Sequence, residues 1–285
     1  MGAQMIKYPL ARQEHFCQHW PIFYVLPRGK TRKKGFKRTY ISKKNEEERE
    51  VIIRFFEELG IGDQDLFLAI LAIAFVQKRG NNLTPKSQNN QNLRLELNVG
   101  GKYENENTLS INTSFFELNN ELVRPQSGRA NQILEESLER LSGVSFIIKT
   151  PTFSASSNLL SYFICKKTER LKIAINPKNA KVLFGDQKKG FILHNRGERL
   201  ALKGDPARAL HAVLVGLVNQ KKSKTFLLET LIYRIYHVNW QDANKDQRKN
   251  LKRSLLKASK ELNKLKEWQI IDHKNNTFTI KRGVA

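Results

Sequence analysis

Leu251, Leu255, Ala258, Leu262 and Leu265 recur at the helical period, one apolar stripe that predicts a helix from Asn244 to Trp268. On the same wheel Lys245, Arg248, Lys249, Lys252 and Arg253 share a neighbouring face that holds no acid. Gln269–His273 and Thr277–Lys281, joined by Asn275-Asn276, then predict a hairpin. A basic helix running straight into a hairpin is the closing half of a winged helix. Such a helix enters a DNA major groove, and the hairpin tip lies beside the phosphates.

The same reasoning orders the rest of the chain. Met1 to about Lys44 holds the densest basic run, and Val51–Phe56 is either a strand or the start of a helix. Asp63 predicts the N-cap of a helix through Lys78, with Leu66, Ile70, Leu71, Ala74 and Phe75 inward. After the polar break Asn81–Asn92, Leu93–Val99 alternates as a strand, and Leu109–Ile111 is a second candidate. Thr113–Asn119 reads as a short helix and Ser127–Leu141 as a longer one, with Ile133, Leu134, Leu138 and Leu141 inward. Val144–Lys149 and Leu159–Lys166 follow as strands joined by the loop Thr150–Asn158. That order is a winged helix again.

A second copy starts near Arg170, with a strand at Leu171–Ile175, then a short helix and a strand leading to Phe191-Ile192-Leu193. Asp205 before Pro206 predicts a helix N-cap, with Leu210, Val213, Leu214 and Leu217 buried up to about Asn219. The loop Lys221–Lys224 and a short helix at Phe226–Tyr236 precede the basic helix. The reading is an α+β chain of two tandem winged-helix domains: a basic arm at 1–44, a first domain at 45–168, and the main DNA-reading module at 169–285. The recurrence rests on element order alone. The length of 285 residues suits two modules at ~150 residues each.

Charge narrows the partner. The formal charge is +23 and the pI about 10.0, a field that attracts a polyanion. No apolar run approaches the roughly 20 residues of a spanning helix, and the N-terminus lacks a charged-then-apolar leader. The expectation is a cytoplasmic protein with no membrane partner, its Cys17 and Cys165 reduced.

A catalytic site is hard to find. Gly185–Gly190 has the glycine spacing of a phosphate loop, but Phe191 and Ile192 stand where Lys and Ser/Thr are needed, so a surface turn is favoured. His237 has no partner two residues away, and Tyr233 and Tyr236 fit packing better than nucleophilic attack. His15 and His19 lack a third ligand. No enzyme, metal or cofactor is expected.

Binding residues are easier to nominate. Lys245, Arg248, Lys249, Lys252 and Arg253 supply cations at the reading helix, and the amides of Asn244 and Gln247 can pair with adenine. Lys221, Lys222, Lys224 and the hairpin's Lys274 are phosphate clamps. Arg124, Arg129 and Asn131 mark the first module's counterpart, weakened by Glu135, Glu136 and Glu139. Arg32, Lys33, Lys34, Lys37 and Arg38 are the arm's contacts to backbone or minor groove.

Four segments carry a resemblance: Leu26–Lys33 ending in Thr39-Tyr40, Glu139-Arg140-Leu141 with Val144-Ser145 and two isoleucines, Ala174–Pro177, and Ala207–His211. In their order and spacing they resemble the RepC replication initiators of IncQ-type broad-host-range plasmids. The resemblance implies tandem winged helices, architecturally related to the RepE and Pi initiators, and favours a strand at Val51–Phe56. It implies binding to direct-repeat iterons at the vegetative origin, help in melting adjacent A·T-rich DNA, and cooperation with plasmid RepA helicase and RepB primase. The Asn- and Lys-rich composition and the acidic stretch Glu46–Glu50 depart from that pattern. Self-association on the repeats is a further expectation. A tandem winged-helix transcriptional repressor would share every contact, and a nonspecific RNA or nucleic-acid scaffold is the third reading.

Overall fold

Helix α1, Ile61–Gln77, is buried on every side from Asp63 to Ala74. A helix without a solvent face is one that others pack around. The computed structural model describes residues 6–14, 21–27, 29–44, 47–77, 82–86, 91–184, 191–273 and 275–283. His15, Cys17, His19, Arg28, Glu46, the Gly185–Gly190 loop and Lys274 lie outside them.

Before α1 come β1 (Leu10–Gln13), β2 (Lys34–Lys44) and β3 (Glu47–Glu57). After it run β4 (Asn82–Leu83), α2 (Gln91–Glu96), β5 (Gly100–Gly101), β6 (Thr108–Ser114), α3 (Phe115–Glu121) and α4 (Gly128–Ser142). Then follow β7 (Val144–Lys149), β8 (Ser154–Asn158), β9 (Leu160–Cys165), β10 (Arg170–Ile175) and α5 (Pro177–Phe184). The chain closes with β11 (Ile192–Asn195), α6 (Arg196–Ala201), α7 (Asp205–Leu217), β12 (Ser223–Leu227), α8 (Leu228–Tyr236), α9 (Lys245–Leu262), β13 (Trp268–His273) and β14 (Thr277–Arg282).

Among the described residues the strands form four antiparallel sheets, ordered β2-β3-β7-β8-β5, β4-β6-β10-β9, β12-β14-β13 and β1-β11. Two large hydrophobic cores and a small cluster of Leu83, Leu93, Leu97 and Ala174 result among the described residues. The first gathers Val51 and Ile53 of β3, α1, Leu134 and Leu138 of α4, and Leu171 and Ile173 of β10. The second gathers Leu210 and Leu214 of α7, Ile232 of α8, Leu255 and Leu262 of α9, and Phe278 and Ile280 of β14.

Several expectations change. The basic stretch up to Lys44 is not a free arm: β1 pairs with β11, the Val25 amide donates to the Ile235 carbonyl at 2.8 Å, and β2 pairs along β3. β3 settles Val51–Phe56 as a strand, and Glu47–Glu50 of the acidic stretch is its opening. Leu93–Val99 is not a strand; α2 covers its first half, with Leu93 and Leu97 buried and Leu95 exposed. Three leucines at period two also place two of them four apart, and burial chose that pair. Ile133, expected inward, is exposed on α4. Asp63 is not the N-cap of α1 but its third residue, its carboxylate reaching back to the Gly60 amide at 2.8 Å. Gly204, not Asp205, caps α7.

The first module's hairpin also differs. β7 pairs with β8, which lies inside the expected loop, whereas β9 pairs with β10 in another sheet. Because β10 also pairs with β6, the strand assigned to a second copy belongs to the first core. The first core runs on through α5, with Ala180 and Leu183 in it, while Ile61 of α1 joins the second. The helix order recurs all the same: α1, α3, α4 then β7-β8, and α7, α8, α9 then β13-β14. In the second unit the strand between the first two helices, β12, joins the hairpin's sheet; in the first unit the short β5 does so, while β4 and β6 belong to another sheet.

Candidate nucleic-acid interface

Helix α9 is set by its cap and its stripe. The Asn244 side chain accepts from the Gln247 amide at 2.9 Å, and the Gln247 side chain accepts from the Asn244 amide at 3.0 Å. Leu255, Ala258 and Leu262 are buried, with Leu251 and Leu265 packed at the edge of the core. The face turned outward carries Lys245, Lys249, Arg253, Lys257 and Lys260, all exposed. This row runs about 22 Å at the helical rise of ~1.5 Å per residue. None of the five pairs with an acid among the described residues.

Lys252 ties this helix to the hairpin. Its Nζ donates to Asn276 Oδ1 at the turn, 2.7 Å away, so helix and hairpin tip form one continuous surface. The hairpin's base is fixed from behind. Trp268 Nε1 and His211 Nε2 lie 3.2 and 3.1 Å from Glu198 Oε2. The Arg282 guanidinium sits over the Trp268 ring and donates to the Val215 and Val218 carbonyls. Burial holds His211 below the ordinary histidine range, and it holds the fully buried His194 well below it.

Other nominated residues serve the architecture. Arg248 is half-buried, donating to the Trp240 and Gln241 carbonyls at 2.9 and 3.0 Å, so it braces the turn before α9. The side-chain oxygens of Asn244 and Gln247 are committed to the cap. Lys221 and Lys222 precede the strand end at Ser223↔Lys281, four register steps from the Leu227↔Thr277 end beside the tip. That is roughly 14 Å at ~3.4 Å per residue, so they do not join the tip. Lys224 is exposed on β12, its ammonium over Phe226.

In the first unit the nominated residues do not assemble a cationic face. Arg129 bonds Gln132, Asn131 accepts from Asn119, and Arg124 is mostly buried, its pKa lowered by desolvation. Arg32 is held by Asp63 at 2.8 Å and the Glu58 carbonyl at 2.6 Å. Arg38 lies over the Tyr24, Phe36 and Phe55 rings and donates to the Pro21 carbonyl. Lys33 caps the Phe36 ring, and Lys34 and Lys37 are exposed along β2.

The start of α1 holds a buried ionic cluster. Asp63 takes Arg140 at 3.1 and 2.9 Å as well as Arg32, and Asp65 takes Arg199 at 2.5 Å and Arg208 at 3.0 Å. Arg199 and Arg208 belong to the C-terminal unit, so these pairs clamp the two cores together. Arg32, Arg140 and Arg208 are members of the segments that carried the family resemblance, and their work is to hold the fold. Among the described residues no cluster of three His, Cys, Asp or Glu side chains is placed to hold a metal, and no helix is long and apolar enough to cross a membrane.

A family model described as Replication protein C (RepC) matches residues 9–284. The chain belongs to the RepC family. The fold is similar to two crystal structures of domains 2 and 3 of RctB. One, of selenomethionine derivatives, has a TM-score of 0.55 at 11% identity, over 92% of this chain and 95% of that one. The other, RctB-155-483, has a TM-score of 0.52 at 12% identity, over 91% of this chain and 94% of that one. No curated protein is similar in sequence at a significant level.

Within this RepC-family chain, Lys257 and Lys260 were missed by the sequence reading. Their spacing from Lys245, Lys249 and Arg253 held the signal, because steps of three and four residues return to one helix face. The bracing role of Arg248 left no such trace: its acceptors are backbone carbonyls, which have no sequence identity.

Proposed function

We infer that this chain is a non-enzymatic replication initiator that reads direct repeats in duplex DNA at a plasmid origin. Its C-terminal unit acts as a winged helix: α9 lies in the major groove and the β13-β14 hairpin rests on the flanking phosphates. The observation that carries this reading is the row Lys245, Lys249, Arg253, Lys257 and Lys260, none of them paired with an acid among the described residues, joined to the hairpin tip through Lys252. Family membership supports the replication role. The first unit, with α4 acidic and Arg32, Arg38 and Arg140 engaged internally, positions the second and contributes less to duplex affinity.

Copies bound on adjacent repeats supply the binding energy that offsets opening of neighbouring A·T-rich DNA, where plasmid helicase and primase are then loaded. A footprint of the purified chain on its own origin tests this. Protection of successive direct repeats, lost when Lys249 and Arg253 are changed to Ala, is the expected pattern. Protection of a lone palindrome over a promoter replaces initiation with repression, and loss of protection under excess tRNA replaces it with nonspecific binding.

A further inference from the structure

The five-stranded sheet covers the first core with one face and leaves the other open. Val51, Ile53 and Phe55 of β3 are buried inward, so Ile52, Arg54 and Phe56 point away from the core. The register sets these residues in cross-strand rows. Arg54 stands between Lys37 and Ser145, Ile52 between Thr39 and Ile147, and Glu50 between Ile41 and Lys149; β8 adds Asn158, Ser156 and Ser154 at the row ends.

Phe56 begins the next row, and the residue is 56% exposed. On the β2 side its neighbour is Gly35, beside which there is open space, and on the other side its amide donates to the carbonyl of Gly143. A side chain at Gly143 would collide with the Phe56 Cβ. Glycine on both flanks therefore leaves one ring face bare. Of the charged residues on these rows Lys37, Arg54 and Lys149 are cations, and the one acid, Glu50, lies 3.6 Å from Lys149. The face is thus cationic, studded with hydroxyls, and carries one unshielded aromatic ring.

The geometry points to this sheet face as a second binding surface, one for single-stranded DNA. A bare ring can stack only on a base whose flat side is open, and a duplex hides those sides in its stack. A sheet four strands wide is also too broad for a major groove of ~12 Å. Cations that track a backbone beside an aromatic platform are what sequence-tolerant binding of unpaired strands requires. The surface is separate from α9 and suits capture of a strand released when DNA beside the repeats opens. It goes beyond the duplex reading and does not depend on it.

Fluorescence anisotropy of the full chain separates the two. The probes are a labelled oligothymidylate of about 16 nucleotides and a labelled repeat duplex. Phe56→Ala and Arg54→Ala should each weaken oligothymidylate binding, Phe56→Ala by roughly five-fold or more, with duplex affinity and melting temperature kept. Lys249→Ala with Arg253→Ala should do the reverse. Oligothymidylate binding that is absent, or that survives both sheet variants, overturns the proposal. So does a shift from dimer to monomer in sedimentation of Phe56→Ala, which assigns the face to a second copy of this chain. If duplex binding fails while oligothymidylate binding follows Phe56, the origin-reading function falls and the sheet proposal stands.

Discussion

Arg248 and Lys249 are adjacent in sequence, yet the structure assigns them opposite work, and a paired substitution exposes the difference. Arg248 donates two hydrogen bonds to backbone carbonyls at 2.9 and 3.0 Å while half-buried. Bonds from a charged donor contribute ~1.5–3 kcal/mol each when well shielded. With partial solvent access, Arg248→Ala should cost about 1–2 kcal/mol of stability in total. Lys249 and Arg253 are exposed and bond nothing among the described residues, so their joint change to Ala should leave stability within ~0.5 kcal/mol. On DNA the order reverses. Each phosphate neutralised contributes ~0.9 to the slope of log affinity against log salt, so the double variant should lose ~1.8 of slope. Between 50 and 200 mM salt that amounts to about a ten-fold smaller fall in affinity. Urea denaturation gives the first quantity, and anisotropy titrations of a repeat duplex across that salt range give the second. Arg248→Ala with intact stability and a slope reduced by ~0.9 would refute the assignment, because the guanidinium would then be reaching a phosphate.

Other consequences follow from the core and the junction. Asp65→Asn leaves Arg199 buried beside a neutral partner and should cost ~3–5 kcal/mol, read as a fall in the urea midpoint; a loss under 1 kcal/mol means the cluster at α1 is not holding the two cores together. Leu255→Ala, at a fully buried position on α9, should cost ~2–5 kcal/mol and abolish duplex binding only as the C-terminal unit unfolds; circular dichroism and binding lost at different temperatures would contradict that. Burial lowers the pKa of His194 and His211 in the folded chain. The unfolded chain therefore takes up protons that the folded one refuses, so stability is full above the ordinary value of 6.5 and falls as pH drops below it, by up to ~1.4 kcal/mol per pH unit for each histidine. A melting temperature that stays level from pH 7 to pH 5 excludes this. Lys252→Ala removes an exposed tie to Asn276 and should change stability by less than ~1 kcal/mol while weakening duplex binding; unchanged affinity would show that the hairpin is positioned from its Trp268 base alone.

Local pattern, by itself, determined the C-terminal helix and hairpin, because a stripe at the helical period and a two-Asn turn are complete within one element. It also placed α4 and β7, but it read the Asn244 and Gln247 amides as adenine contacts, whereas their side-chain oxygens close the cap of α9. Charge determined the partner class, since +23 is a property of the chain whatever its shape. Tertiary structure decided the rest. Whether a cation is free or engaged depends on groups distant in sequence: Arg32 and Arg140 meet at Asp63, and Arg199 and Arg208 meet at Asp65. The membership of β10 was decided by its partners β6 and β9, and the choice of helix at Leu93 by which leucines found a core. Periodicity reports which face of an element is apolar. Only packing reports what that face meets, and so which of many arginines and lysines remain available to a ligand.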